Sequence, residues 1–142
     1  MLIRQARAAL LGLVLAGCSG SLAWTLRVPA RAAPVSETFA CAEQELRAMG
    51  YRSTAFDRDA GQLVAQKVDP NARRGHVTFR RVLDRIEVEA SAQELIVRAR
   101  TVLEFESRRG PTEEEESASA VARTDARTLV ERCGMPAPAP QS

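Results

Sequence analysis

The chain predicts an α+β fold: a mainly antiparallel four-stranded sheet with one helix before it and one after, in the order α-β-β-β-β-α. Three stretches carry that expectation. Phe39, Ala42, Leu46 and Met49 recur at helical spacing and stop at Gly50, while Val82 to Leu103 alternates apolar and charged residues about a polar turn, Ser91-Ala92-Gln93-Glu94. Near the other end, Ala118, Val121, Ala122, Ala126, Leu129 and Cys133 fall on one helical stripe before Gly134 and Pro136. Two helices flanking an antiparallel run bury their stripes most simply on one face of the sheet.

What precedes the first helix has a different character. Residues 1–7 carry Arg4 and Arg7 and no acid, and residues 8–15 form an apolar run too short to cross a bilayer as a helix. The run ends in Leu15-Ala16-Gly17-Cys18. That box resembles the lipobox of bacterial lipoproteins, small exported proteins held by a lipid. The resemblance implies that residues 1–17 are a signal peptide, that Cys18 is lipidated and becomes the mature N-terminus, and that the protein sits in the cell envelope on a membrane. Ser19 follows Cys18 where an aspartate would resemble an inner-membrane retention signal, which favours the periplasmic face of the outer membrane. Two other readings stay open. Residues 8–26 carry no charge, close to the roughly 20 residues that a spanning helix needs, and Arg4 and Arg7 would lie on the cytoplasmic side of such a single-pass anchor. Ordinary cleavage after Ala30-Arg31-Ala32 is the third reading.

Residues 18–35 read as the lipidated cysteine and a flexible tether, with Gly20, Pro29 and Pro34 among small residues. Fully extended, at about 3.3 Å per residue, the tether would reach roughly 55 Å. Leu22, Trp24 and Leu26 interrupt it, suited either to the lipid headgroup layer or to covering the domain.

The single domain is expected over residues 36–134. Its first helix starts at an N-cap residue, Ser36 or Thr38, and ends at Met49 before Gly50. Residues 51–56 and 62–68 read as strands joined by the turn Asp57-Arg58-Asp59-Ala60-Gly61. Asp57, Asp59 and Gly61 have the opening spacing of a calcium loop, but its third ligand, its glycine and its distal glutamate are missing. A plain hairpin turn is therefore expected there.

The strongest pattern runs from Val77 to Glu106. With the turn at residues 91–94, Ala90 faces Leu95, Val88 faces Val97, Ile86 faces Ala99 and Val82 faces Leu103, an apolar face broken by Asp84 opposite Thr101. On the other face Glu87 meets Arg98 and Arg81 meets Glu104, while Arg85 opposite Arg100 is adverse. Gly110-Pro111 then breaks the chain, and Thr112 with Glu115 has capping-box spacing, which places Glu113 to Glu116 in the first turn of the last helix. Residues 135–142, rich in Pro and Ala, read as an extended tail.

With Cys18 taken by lipid, Cys41 and Cys133 remain as a pair in an oxidising compartment, one on each helix, and a disulfide is expected. Cys41 lies about 120° from the centre of its helix's apolar stripe, so the bond would form at that helix's flank. Loss of the signal removes two arginines and no acid, leaving 18 basic and 18 acidic side chains. A mature charge near zero argues against nucleic acid as a partner. His76 is the only histidine, and no catalytic residues, metal ligands or cofactor motif stand out. The expected function is a non-enzymatic envelope scaffold or accessory protein that binds a protein partner, on the charged face left open by the helices. The alternative is a binding module for an envelope lipid or glycan. The layout is similar to that of small lipoproteins of lipopolysaccharide assembly, without a shared residue motif.

Overall fold

A computed structural model describes residues 22–72 and 79–135. Cys18 and its box, His76 and the Pro-rich tail from residue 136 lie outside the described residues. The elements are β1 (Trp24–Pro29), α1 (Val35–Ala48), β2 (Arg52–Asp57), β3 (Gln62–Asp69), β4 (Phe79–Ala90), β5 (Glu94–Ser107), β6 (Gly110–Glu116) and α2 (Ala120–Cys133). The fold is α+β with an antiparallel sheet, and the sheet has six strands where the sequence suggests four. Among the described residues no helix is long and apolar enough to cross a membrane.

The first added strand comes from the stretch expected to be a tether. Trp24, Leu26 and Val28 alternate with Thr25, Arg27 and Pro29, and the first three turn inward and pack on the core while the others face out. β1 runs antiparallel to β5, from Trp24 opposite Ala99 to Pro29 opposite Glu94. The ordered fold thus begins at least a dozen residues before the expected boundary at residue 36, and Trp24 and Leu26 cover the domain. Pro29 fits because it ends an edge strand, where no ladder donor is required.

The second added strand replaces the expected capping box. Gly110, at φ +108°, reverses the chain after β5, so that residues 110–116 return along it as β6 instead of opening a helix. α2 starts only at Ala120, with Ser119 as its N-cap: the Ser119 Oγ accepts from the Ala122 amide at 3.0 Å. At the other helix the N-cap is Pro34, with no side-chain cap, so α1 opens just ahead of Ser36.

The strand order is β1-β5-β4-β3-β2, and β6 shares with β1 the outer edge of β5. Every β4–β5 pair expected from the sequence is present, including Asp84 opposite Thr101 and Arg85 opposite Arg100. Both helices cover one face. Between them and the sheet lie Phe39, Leu46, Leu63, Ile86, Val97 and Leu129, together with five alanines of zero exposure, Ala42, Ala65, Ala99, Ala122 and Ala126. Those small residues let the helix backbones approach the sheet closely, so a domain with few aromatics still closes its core. At the β2–β3 turn, Asp57 Oδ1 accepts from the amides of Asp59 and Ala60, each at 3.1 Å, and Gly61 adopts φ +67°. A Cβ at Gly61 would stand 2.2 Å from the Ala90 carbonyl oxygen. The Asp57 carboxylate is accounted for by the turn itself.

The Cys41 and Cys133 sulfurs lie 2.07 Å apart and join α1 to α2. The offset of Cys41 from its stripe turns it sideways toward the neighbouring helix rather than down onto the sheet, and Arg132 to Glu45 at 2.8 Å runs alongside. The bond spans a sequence separation of 92 residues. In the chain-entropy description a loop of that size is worth about 4 to 5 kcal/mol. Urea unfolding with and without reductant should therefore show a loss of that order on reduction. If both thiols of the unreduced native protein react freely with a maleimide, the bond is absent and the helices are docked by packing alone.

Candidate functional site

Two surfaces bear on function, one on each face of the sheet. On the face away from the helices, β4 presents Arg81, Leu83, Arg85, Glu87 and Glu89, and β5 presents Ile96, Arg98, Arg100, Val102 and Glu104. Arg81 and Glu104 pair directly across the ladder through two hydrogen bonds. Arg98 reaches one step along the diagonal, to Glu89 at 3.2 Å, and Arg100 likewise reaches Glu87, so Glu87 and Arg98 are neighbours in register but not an ion pair. Long side chains on a twisted sheet meet diagonally as readily as directly.

The adverse Arg85–Arg100 pair is resolved by β6. Glu113 accepts from Arg85 at 3.0 and 3.2 Å, and Glu115 accepts from Arg100 at 2.6 Å. In a strand, alternate residues of the acidic run fall on one face, which puts Glu113 and Glu115 beside the two guanidiniums. Within this network Leu83 is 1% exposed and Val102 is fully buried, although no helix covers the face. Burial works against the charge on Arg100, but Glu115 and Glu87 hold it firmly protonated; the Arg81 hydrogen bond holds the Glu104 carboxyl below its ordinary range. No helix covers this face, yet its central guanidiniums already have intramolecular carboxylates. The partner surface expected here would have to displace them.

The helix side carries two linked polar clusters. Asp84, 6% exposed, and Thr101, 4% exposed, are the polar pair that breaks the apolar face of the β4–β5 hairpin. Asp84 Oδ1 accepts from Thr101 Oγ1 at 2.8 Å and from Ser119 Oγ at 2.9 Å, while Thr101 Oγ1 accepts from the Ser119 amide at 2.9 Å. The buried carboxylate therefore holds the N-cap that starts α2. Next to it Lys67, the only lysine, donates to Asp125 Oδ2 at 2.7 Å and to the Met49 carbonyl at 3.3 Å, and the Tyr51 hydroxyl donates to the same Asp125 oxygen at 2.9 Å. The Lys67 ammonium also lies 4.6 Å from the Tyr51 ring centroid. Burial first, then the hydrogen bond to Asp125, pushes the Tyr51 phenol well above its ordinary range.

A cavity of about 530 Å³ opens beside these clusters, between the N-terminal end of α2 and strands β3 to β5, with no residue of α1 in its wall. Val82 and Val121 supply aliphatic surface, and Lys67, Asp84 and Glu116 supply charge. That combination suits an apolar body carrying a cationic or hydrogen-bond-donating group. Nothing in the sequence marks this place except one polar pair inside an apolar alternation. Of the site residues expected from the sequence, Cys41 and Cys133 are brought together, and Cys18 lies outside the described residues. Among the described residues no three His, Cys, Asp or Glu side chains gather as a metal-binding group.

No protein-family model matches the chain, and no curated protein matches it by sequence. Among solved structures, that of a DUF4468 family protein from Bacteroides ovatus is similar over 78% of this chain and 77% of the other, with 9% identity and a TM-score of 0.44. At that identity and score the likeness is one of outline and says nothing of ligand or activity.

Two outcomes test the geometry. Glu87→Gln and Arg100→Gln should couple by about 1 kcal/mol in a double-mutant cycle read by denaturant unfolding, with a smaller coupling between Glu87→Gln and Arg98→Gln. The reverse order would refute the diagonal pairing. Asp84→Ala should cost about 2 kcal/mol by stripping the acceptor from the buried Thr101 hydroxyl and the part-buried Ser119 hydroxyl, and should speed hydrogen exchange at the Ala122 amide more than at amides late in α2. Uniform acceleration along α2 would mean that Asp84 does not anchor the cap.

Proposed function

We propose that the protein is a lipid-anchored envelope lipoprotein, held to a bacterial membrane through Cys18, most simply the outer membrane, with its α+β domain acting as a non-enzymatic scaffold or accessory for a protein partner. The observation that carries the reading is the box Leu15-Ala16-Gly17-Cys18 closing a short apolar run behind two arginines. Cys41 and Cys133 at bonding distance support it, because such a pair is of use in an oxidising compartment. No cofactor or nucleic acid enters the reading, since 18 basic and 18 acidic side chains remain once the signal is removed and give no electrostatic footprint for a polyanion.

The edge strand β2 favours a protein partner. All six of its residues are exposed, and Phe56 is 61% exposed at its end, with Arg58 over the ring. The bulge between Ser53 and Ala55 interrupts the edge ladder, so contact here would run through side chains such as Phe56 rather than by adding a strand. The cavity beside Asp84 favours the second reading, a binding module for an envelope lipid or glycan.

Mass spectrometry of the mature protein should find a lipid-bearing N-terminal peptide beginning at Cys18; an N-terminus at Met1 or Ala33 would overturn the anchor. Mild crosslinking followed by detergent purification separates the two binding readings. A stoichiometric protein band that Phe56→Ser abolishes supports the scaffold, and co-purified lipid or glycan supports the second reading.

A further inference from the structure

The point at which the chain enters the fold restricts how the domain can sit on its membrane. β1 begins at Trp24, six residues beyond Cys18. Six residues reach at most roughly 20 Å, less than half the span of a tether ending at residue 35. A domain on so short a leash cannot stand clear of the bilayer. The surface around its attachment point is in contact with headgroups or close to them.

That surface has matching chemistry. α2 runs alongside β1, with its N-terminal end toward Trp24 and its C-terminal end at the Ala30–Gly134 bridge. The Arg127 guanidinium lies 5.0 Å from the Trp24 ring centroid, and Arg123 stands one turn earlier on the same ridge of α2. Both arginines are exposed, and no acidic partner is found for either among the described residues. This contrasts with the far face of the sheet, where the central arginines are paired. Leu22, just outside the strand, is 50% exposed. Two guanidiniums and an aliphatic side chain at the exit of a lipid anchor fit the phosphate layer of a bilayer and its upper acyl region.

We infer that the domain lies against the membrane on its β1–α2 edge, with Arg123 and Arg127 on lipid phosphates and Leu22 in the interface. The inference rests on the lipid anchor proposed at Cys18. The lipids supply the affinity, and the arginines set the orientation, since a tethered basic pair meets phosphate at high effective concentration.

Trp24 is the chain's only tryptophan and reports on this edge directly. The full chain, purified with its lipid and reconstituted in vesicles of phosphatidylethanolamine and phosphatidylglycerol, should show Trp24 emission quenched by headgroup-nitroxide lipid. Inserting a 12-residue Gly/Ser spacer between Ser21 and Leu22 should weaken quenching about twofold or more, and Arg123→Glu should do the same, more so at low salt. Arg123 is exposed and makes no ion pair among the described residues, so its variant is expected to keep the fold, which circular dichroism checks. Wild-type protein whose N-terminal peptide carries lipid at Cys18 but whose Trp24 is not quenched would overturn the orientation and leave the anchor standing. Quenching that neither change weakens would do the same. A peptide mass without lipid at Cys18 would remove the anchor and the orientation together.

Discussion

β5 is the strand on which every other strand of the sheet but two is directly registered. Its 14 residues bond β4 along one edge and divide the other between β1 and β6. Each of its inward side chains must suit both neighbours at once: Leu95, Val97 and Ala99 lie between Val28, Leu26 and Trp24 on one side and Ala90, Val88 and Ile86 on the other. A slip of one residue would turn apolar groups to water along several ladders together, a penalty far larger than any single pair supplies. Arg100 marks the place where the shared edge changes hands, since it falls between Ala99, opposite Trp24, and Thr101, opposite Glu116. Its side chain ties the strands on either side of β5 together by reaching both Glu87 on β4 and Glu115 on β6.

That arrangement explains which parts of the fold were legible. The β4–β5 register could be read residue by residue because two long alternating strands around a four-residue turn leave one alignment that buries the apolar set and opposes most charges. β1 is hidden in the sequence although Trp24, Leu26 and Val28 alternate cleanly, because Pro29, Pro34 and the nearby Leu15-Ala16-Gly17-Cys18 box favour a tether. β6 is hidden because Thr112 with Glu115 and a run of acids satisfies a helix-start pattern as well as it satisfies a strand beside Arg85 and Arg100. Local sequence could not decide between them. The adverse Arg85–Arg100 pair was the signal that a further acidic element had to lie next to it. The cavity was not legible at all, since its wall draws on β3, β4, β5 and α2, and its polar centre appeared only as one interruption in an apolar face.

The same interruption accounts for how the C-terminal helix finds its place. α2 has a narrow stripe of small residues, and Ala122 and Ala126 bury little area each, so packing alone leaves the helix free to slide. Asp84 and Thr101 remove that freedom at one end by holding Ser119, and Cys133 removes it at the other by its link to α1. Burying a carboxylate costs free energy, which the two hydroxyl donors offset in part; what the site gains is a defined starting point for the helix. Lys67, Asp125 and Tyr51 pin the middle of α2 in the same manner, tying it to β3 and to the end of α1.

An anchor at the β1 edge, as proposed, would also decide what remains for a partner. β1 and β2 are the two ends of a sheet five strands wide, so β2 lies about 19 Å across it, at roughly 4.8 Å per strand. With the β1–α2 edge turned to lipid, β2 and Phe56 would be carried farthest from the bilayer, out where a partner could reach them. The far face of the sheet would then stand roughly upright, its central arginines already paired with carboxylates of the same chain. A short leash would thus do more than retain the domain: it would select one edge for lipid and leave the opposite edge, bulged and exposed, with the Phe56 ring still to bury.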